Sequence, residues 1–167
     1  YECACPLPLS QTSCTVIDMD DLQKLAAYSG DPWRKKNPYF GKAEPHMERQ
    51  WKNIIWPCIN DCDFTVVLDL AAGHGRNSAQ LIGHAQKLYV TDIVADNIEV
   101  CSERFKHSPI VETFVGNGYD FQPMEDESLT FIYCFDAMVH FDSDVVRSYL
   151  KDTRRVLKPG GRAFYHH

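Results

Sequence analysis

At 167 residues, with 44% hydrophobic and 12% aromatic content, the chain can bury one substantial core and is too apolar to stay disordered. No apolar run reaches the length of a membrane span, and a formal net charge of −6 disfavours a general nucleic-acid binder, which needs a basic face against phosphates. Seven cysteines, odd in number and without paired-ligand spacing, read as reduced thiols, so a cytoplasmic protein without a metal site is expected.

Residues 1–9 carry neither the basic nor the apolar region of a signal peptide, and the chain opens on Tyr1 rather than Met, as a fragment would. Cys3 and Cys5 have no histidine or second cysteine pair at zinc-site spacing, so they read as part of a frayed tail. From Asp18 the apolar positions Met19, Leu22, Leu25 and Ala26 fall on one helical face, with Ser29-Gly30 as the stop. Residues 31–46, rich in Pro, Gly and aromatics, predict a loop. A further helix is expected from Pro45 to Trp56, with Met47, Trp51, Ile54 and Ile55 as its apolar stripe and Pro57 as its end. Residues 1–62 are thus expected to form a helical cap, and residues 63–167 the core. Across the cap Arg34, Lys35, Lys36, Lys42, Arg49 and Lys52 outnumber Glu44 and Glu48; a solvated face is the plain reading and a phosphate-bearing substrate the alternative.

The stretch VVLDLAAGHGRNSAQL, residues 66–81, runs from a β-branched apolar segment through a glycine-bearing turn into helical spacing, which predicts strand, tight loop and helix. A second short strand, KLYVTDI, ends on Asp92 and Ile93. Asp92 lies near the position, roughly 20 residues past the glycines, where nucleotide-binding α/β folds place a carboxylate for ribose hydroxyls. A dinucleotide fingerprint would carry a third glycine where Ser78 stands, and Asp69 precedes Gly73 by four residues. A carboxylate there suits a cationic ligand and repels a pyrophosphate, so the loop favours S-adenosylmethionine over a nicotinamide dinucleotide.

Ile98, Cys101, Ser102 and Phe105 follow at helical spacing, with Asp96 and Glu99 resembling a capping box, and residues 110–115 read as the third strand. Gly116-Asn117-Gly118 is a polar turn at that strand's ligand-bearing end, where Asn117 either meets a ligand or tolerates a left-handed turn. The fourth strand, LTFIYCF, delivers Phe135, Asp136 and His140 to the same edge. A helix over residues 144–157 buries Val145, Val146, Tyr149, Leu150, Thr153, Val156 and Leu157, and the turn LKPGG leads into a fifth strand, RAFYHH.

These segments resemble the class I S-adenosylmethionine-dependent methyltransferases: LDLAAGHG as the first motif, Asp92, the loop from Gly116, FIYCFDAMVHF and LKPGG. The family usually has glycine where this chain has Ala71. The strand–helix alternation predicts an α/β doubly wound, mostly parallel sheet, and the resemblance implies strand order 3-2-1-4-5 with later strands absent, hence a C-terminally incomplete core whose exposed fifth-strand edge favours self-association. It further implies Asp69, Ala71, Gly73, Gly75, Asp92, Ile93, Asn117, Gly118 and Phe135 as cofactor-binding residues, with S-adenosylhomocysteine as product.

The implied partner is a small-molecule acceptor, read as a hydroxyl, with no nucleic acid or membrane. His140 is the first candidate for its base and Asp136 the group that orients it or holds substrate. His166 and His167 alternate along their strand, so only one of them can face the pocket. A metal held by Asp136, His140 and a terminal histidine is not supported by spacing. Trp33, Tyr39 and Phe40 are the lid candidates. Asn37-Pro38-Tyr39-Phe40 is similar to the Asn-Pro-Pro-Tyr loop of amine methyltransferases, but it lacks the second proline and follows no strand, so it reads as coincidence. The alternatives are a catalytically silent cofactor-binding protein and a nicotinamide-dependent oxidoreductase.

Overall fold

The computed structural model describes residues 17–34 and 36–166; Cys3, Cys5, Lys35 and His167, weighed above, lie outside the described residues. Helix α1, Met19–Gly30, is capped by Asp18, whose side chain accepts the Asp20 N–H, and it buries Leu22 and Ala26 while Met19 stays exposed. The expected loop is instead largely helical: a 3-10 turn Asp31–Trp33, helix α2 Tyr39–Ala43 and a second 3-10 turn Glu44–His46. Asn37 starts α2, accepting the Tyr39 N–H at 2.8 Å and donating to the Pro32 carbonyl at 2.7 Å, so proline here opens helical turns.

The next helix does not stop at Pro57. Helix α3, Met47–Gln50, runs through a π turn, Trp51–Ile55, into α4, Trp56–Ile59. The wide turn, closed by the Trp56 N–H on the Trp51 carbonyl, carries the chain past a residue with no N–H and a ring that crowds the preceding turn. Met47, Trp51, Ile55 and Ile59 are buried at steps of four, and Ile54 points to solvent at 54% exposure.

Five strands, β1 Val66–Leu70, β2 Lys87–Asp92, β3 Val111–Val115, β4 Leu129–Cys134 and β5 Leu157–Tyr165, form a wholly parallel sheet in the order β3-β2-β1-β4-β5. Short helix α5, Ser78–Leu81, joins β1 to β2, and α6, Ala95–Phe105, joins β2 to β3. Helix α7, Ser143–Val156, follows β4 and is capped by Asp142 on the Asp144 N–H, with Leu150 exposed. The expected capping box of α6 does not form. Val94 is the cap residue, and the Asp92 side chain accepts its N–H instead. The Lys158-Pro159-Gly160-Gly161 turn is a bulge within β5, since Leu157 pairs with Leu129 while Arg162 pairs with Phe131.

Side chains alternate across the sheet into two cores. Leu68, Leu70, Leu129 and Ile132 pack with α1 and α7, whereas Val67, Leu88, Phe131 and Tyr133 pack with Met47, Trp51, Ile55 and Ile59. The segment before β1 therefore covers both faces of the sheet and passes over its carboxyl edge between them. Among the described residues no helix is long and apolar enough to cross a membrane.

Candidate active site

The carboxyl ends of β1, β2 and β4 open into one cavity of about 910 Å³, roofed by Trp33, Tyr39 and Phe40. Strand β1 leaves the sheet through Ala71 and Gly73, both at φ 56. Ala71 adopts there the left-handed conformation that costs an L-residue about 1–2 kcal/mol and that glycine takes freely. At Gly73 a Cβ would also stand 2.6 Å from the Phe40 ring, so the loop and its roof fit only without a side chain. A Cβ on Gly75 would stand 2.7 Å from Phe105; this glycine admits α6 against the loop and does not line the cavity.

Asp92 holds that loop from the neighbouring strand. Its Oδ2 accepts the Gly73 N–H at 2.8 Å, and Oδ1 accepts the Val94 N–H at 2.8 Å and the Asn97 amide at 3.4 Å. Burial pushes its carboxyl above the ordinary range, and these donors pull it back. Two carboxylate oxygens offer about four acceptor positions, of which these donors take three, and Asp92 lines the cavity. Thr91 Oγ1, in the wall beside it, is buried and makes no hydrogen bond among the described residues.

Asp69 is not at the cavity. It lies beneath the loop, where Ser78 Oγ donates to its Oδ2 at 2.5 Å, and burial pushes its carboxyl up to about 7. A direct attraction to a cationic ligand is therefore replaced by support of the loop from below. Asn117 is also set aside: its Oδ1 accepts the Tyr119 and Asp120 N–H groups, each at 3.0 Å, and its amide donates to Asp120 at 2.6 Å. The left-handed residue of that turn is Gly118, at φ 92, which lines the cavity with Ile93 and Gly116.

At the β4 end Phe135 lines the cavity and stacks on His166 at 4.5 Å, while His166 Nδ1 accepts the Asp136 N–H at 3.3 Å. His166 itself stands off the cavity, behind Phe135. Asp136, at φ 63, accepts from Arg76 Nη2 at 2.9 Å and from the Tyr39 hydroxyl; Arg76 also donates to Tyr39 at 2.8 Å and to Gln50 at 2.8 Å. Burial, with the bond to Asp136 second, pushes the Tyr39 hydroxyl up to about 12, so it stays a donor at neutral pH. Asp136 thus turns to Arg76 and Tyr39 rather than orienting His140.

His140 ends a 3-10 turn, Met138–His140, lines the cavity, and packs on Trp33 at 4.6 Å. Phe40 stacks on His74 at 3.8 Å. The residue that sequence reading missed is Arg76. Its signal was a single cation in an otherwise uncharged turn, and only the fold brings it to Asp136, 60 positions away. Among the described residues no group of three His, Cys, Asp or Glu is placed to hold a metal ion.

The residues suit an adenosyl cofactor. A carboxylate with free acceptor capacity and an unpartnered hydroxyl stand together at the end of β2, beside the apolar walls of Ala26 and Ile93. A parallel 3-2-1-4-5 sheet with this glycine loop and acid defines a nucleotide-cofactor α/β domain of the methyltransferase kind. Residues 67–161 match the family model described as a methyltransferase domain, and the chain belongs to that family, the class I S-adenosylmethionine-dependent methyltransferases.

The YcgJ protein of Bacillus subtilis is 28% identical over 62% of this chain and 44% of its own, with a TM-score of 0.54. The PH0226 protein of Pyrococcus horikoshii OT3 is 26% identical over 82% of this chain and 62% of its own, with a TM-score of 0.58. The phosphoethanolamine N-methyltransferase 1 of Haemonchus contortus, solved with phosphoethanolamine and S-adenosylhomocysteine, shares the fold at 18% identity and a TM-score of 0.62, over 86% of this chain and 31% of its own. The chain spans less than two thirds of each of these structures. No curated protein sequence matches it.

Proposed function

We propose that the chain transfers the methyl group of S-adenosylmethionine to a hydroxyl oxygen of a small-molecule acceptor. The observation that carries this reading is one continuous cavity running from Asp92 at the end of β2 to His140 beyond β4, closed by aromatic residues of the cap. Asp92 takes the ribose hydroxyls, Ile93 and Gly118 form adenine walls, and the Ala71–Gly73 backbone carries the amino-acid end. Bound S-adenosylmethionine supplies an electrophilic methyl on a sulfonium. The chain's part is to align the acceptor with it and to take the hydroxyl proton. His140, whose imidazole lines the cavity, takes that proton, and Asp136, held by Arg76 and Tyr39, positions the acceptor. Trp33 and Phe40 exclude water from the transfer.

The test is turnover over a panel of hydroxyl-bearing small molecules, followed by His140→Ala on the first acceptor found. A general base contributes about 100- to 10,000-fold, so the rate should fall at least about tenfold while S-adenosylhomocysteine affinity by calorimetry is unchanged. A smaller loss removes His140 from the chemistry. Cofactor binding without turnover on any acceptor supports the silent binding protein instead.

A further inference from the structure

Beside the cofactor cavity lies a second cleft of about 700 Å³ that shares only Tyr39, Arg76 and Asp136 with it. Its outer wall is one face of α2, the 3-10 turn and α3: Lys42, His46, Arg49 and Gln50 at steps of four, seven and eight. Lys42, Arg49 and Arg76 bring three cations against the single carboxylate of Asp136. Asp136 is already paired with Arg76 at 2.9 Å, and Glu44 is turned away onto Arg104 at 2.6 Å. The Lys42, His46 and Arg49 side chains make no hydrogen bond or ion pair among the described residues. Arg76, only 8% exposed, gives donors to Gln50, Tyr39 and Asp136, three of the five a guanidinium has.

Such a face is unfavourable by itself, since Lys42, Arg49 and Arg76 repel one another across one cleft and Arg76 keeps two of its five donors unused. An anion in the cleft answers both, because carboxylate and phosphate oxygens are the partners a guanidinium and ammonium groups bind most strongly. In a chain of net charge −6 this is a local positive cleft that concentrates anions.

We propose that the cleft binds an anionic group, carboxylate or phosphate, of the methyl acceptor, whose other end passes Tyr39 and Asp136 into the cofactor cavity. This rests on the methyl-transfer reading above. The test titrates inorganic phosphate, and separately acetate, into nitrogen-15-labelled protein saturated with S-adenosylhomocysteine, at constant ionic strength. At least one anion should give saturable NMR shifts confined to residues 39–50, Arg76 and Asp136. The Lys42→Gln/Arg49→Gln double variant, altered at two exposed positions, should bind it at least tenfold more weakly with its S-adenosylhomocysteine affinity unchanged. Tighter phosphate binding assigns a phosphate-bearing acceptor, and tighter acetate binding a carboxylate-bearing one. Non-saturating shifts with both anions, or equal affinity in the variant, overturn the anion site and leave the cofactor reading standing. Failure to bind S-adenosylhomocysteine at all would instead overturn the methyl-transfer reading.

Discussion

Two aspartates end neighbouring strands and do different work. Asp92 lines the cavity while binding the Gly73 and Val94 N–H groups, so Asp92→Ala would orphan two backbone donors and mix folding with binding. Asp92→Asn keeps one acceptor for them and removes the charge. Since hydrogen bonds to charged groups contribute about 1.5–3 kcal/mol, S-adenosylhomocysteine affinity by calorimetry should fall about tenfold or more. A folded variant with unchanged affinity excludes Asp92 as the ribose partner.

Asp69 makes a pH prediction. Its carboxyl is held at about 7 in the folded chain against 3.8 as an ordinary aspartate, so the folded state binds the proton more tightly. Its contribution to stability is fully present below about pH 4 and is lost as pH rises through about 7. Asp69→Asn, which still accepts from Ser78, should therefore gain stability relative to the parent progressively between those values and no further above them. Urea denaturation at a series of pH values measures the difference, and a flat difference contradicts the burial of a protonated Asp69.

At the level of elements, the glycine loop and α2 are matched surfaces. Gly73→Ala should cost about 1–3 kcal/mol, from left-handed strain and from the Cβ driven into the Phe40 ring. Phe40→Ala in the same chain removes the second cause and leaves the first. The double variant should then be more stable than the two single losses added together, read from denaturation midpoints. Simple additivity would mean that Phe40 is not seated on the loop. The same seating explains why α2 and the 3-10 turns exist where composition suggested a loop: Pro32, Pro38 and Pro45 each open a short helical turn, and the aromatic residues between them land on the sheet edge. The Arg104–Glu44 pair at 2.6 Å, with Arg104 also donating to the His74 carbonyl at 3.0 Å, pins this segment to α6.

For the whole molecule, the cavity is built from both sheet and cap, so a ligand that fills it binds only the folded chain. At about one hundred times its dissociation constant, S-adenosylhomocysteine should add about 2.7 kcal/mol of stability. For a domain of this size that raises Tm by about 5–11 °C. NADH at the same concentration should leave Tm unmoved, which separates the methyltransferase from the oxidoreductase reading. A Tm indifferent to S-adenosylhomocysteine counts against the cofactor assignment.

Local signals in the sequence determined the strands and the edge at which the cavity opens, and the family resemblance supplied their order. Apolar runs marked five strands, helical spacing marked α1, α6 and α7, and glycines followed at a distance by Asp92 marked residues that line the cavity, because each signal is written in a short stretch of chain. Long-range packing decided the rest. Whether Asp69 or Asp92 meets the cavity depends on what covers each strand end, and Ser78 covers one. Asn117 found its partners within its own turn, and Gly75 served α6. Arg76 gained its meaning only when the fold brought Asp136, Tyr39 and Gln50 around it, since a guanidinium's role is set by the acceptors that surround it in space.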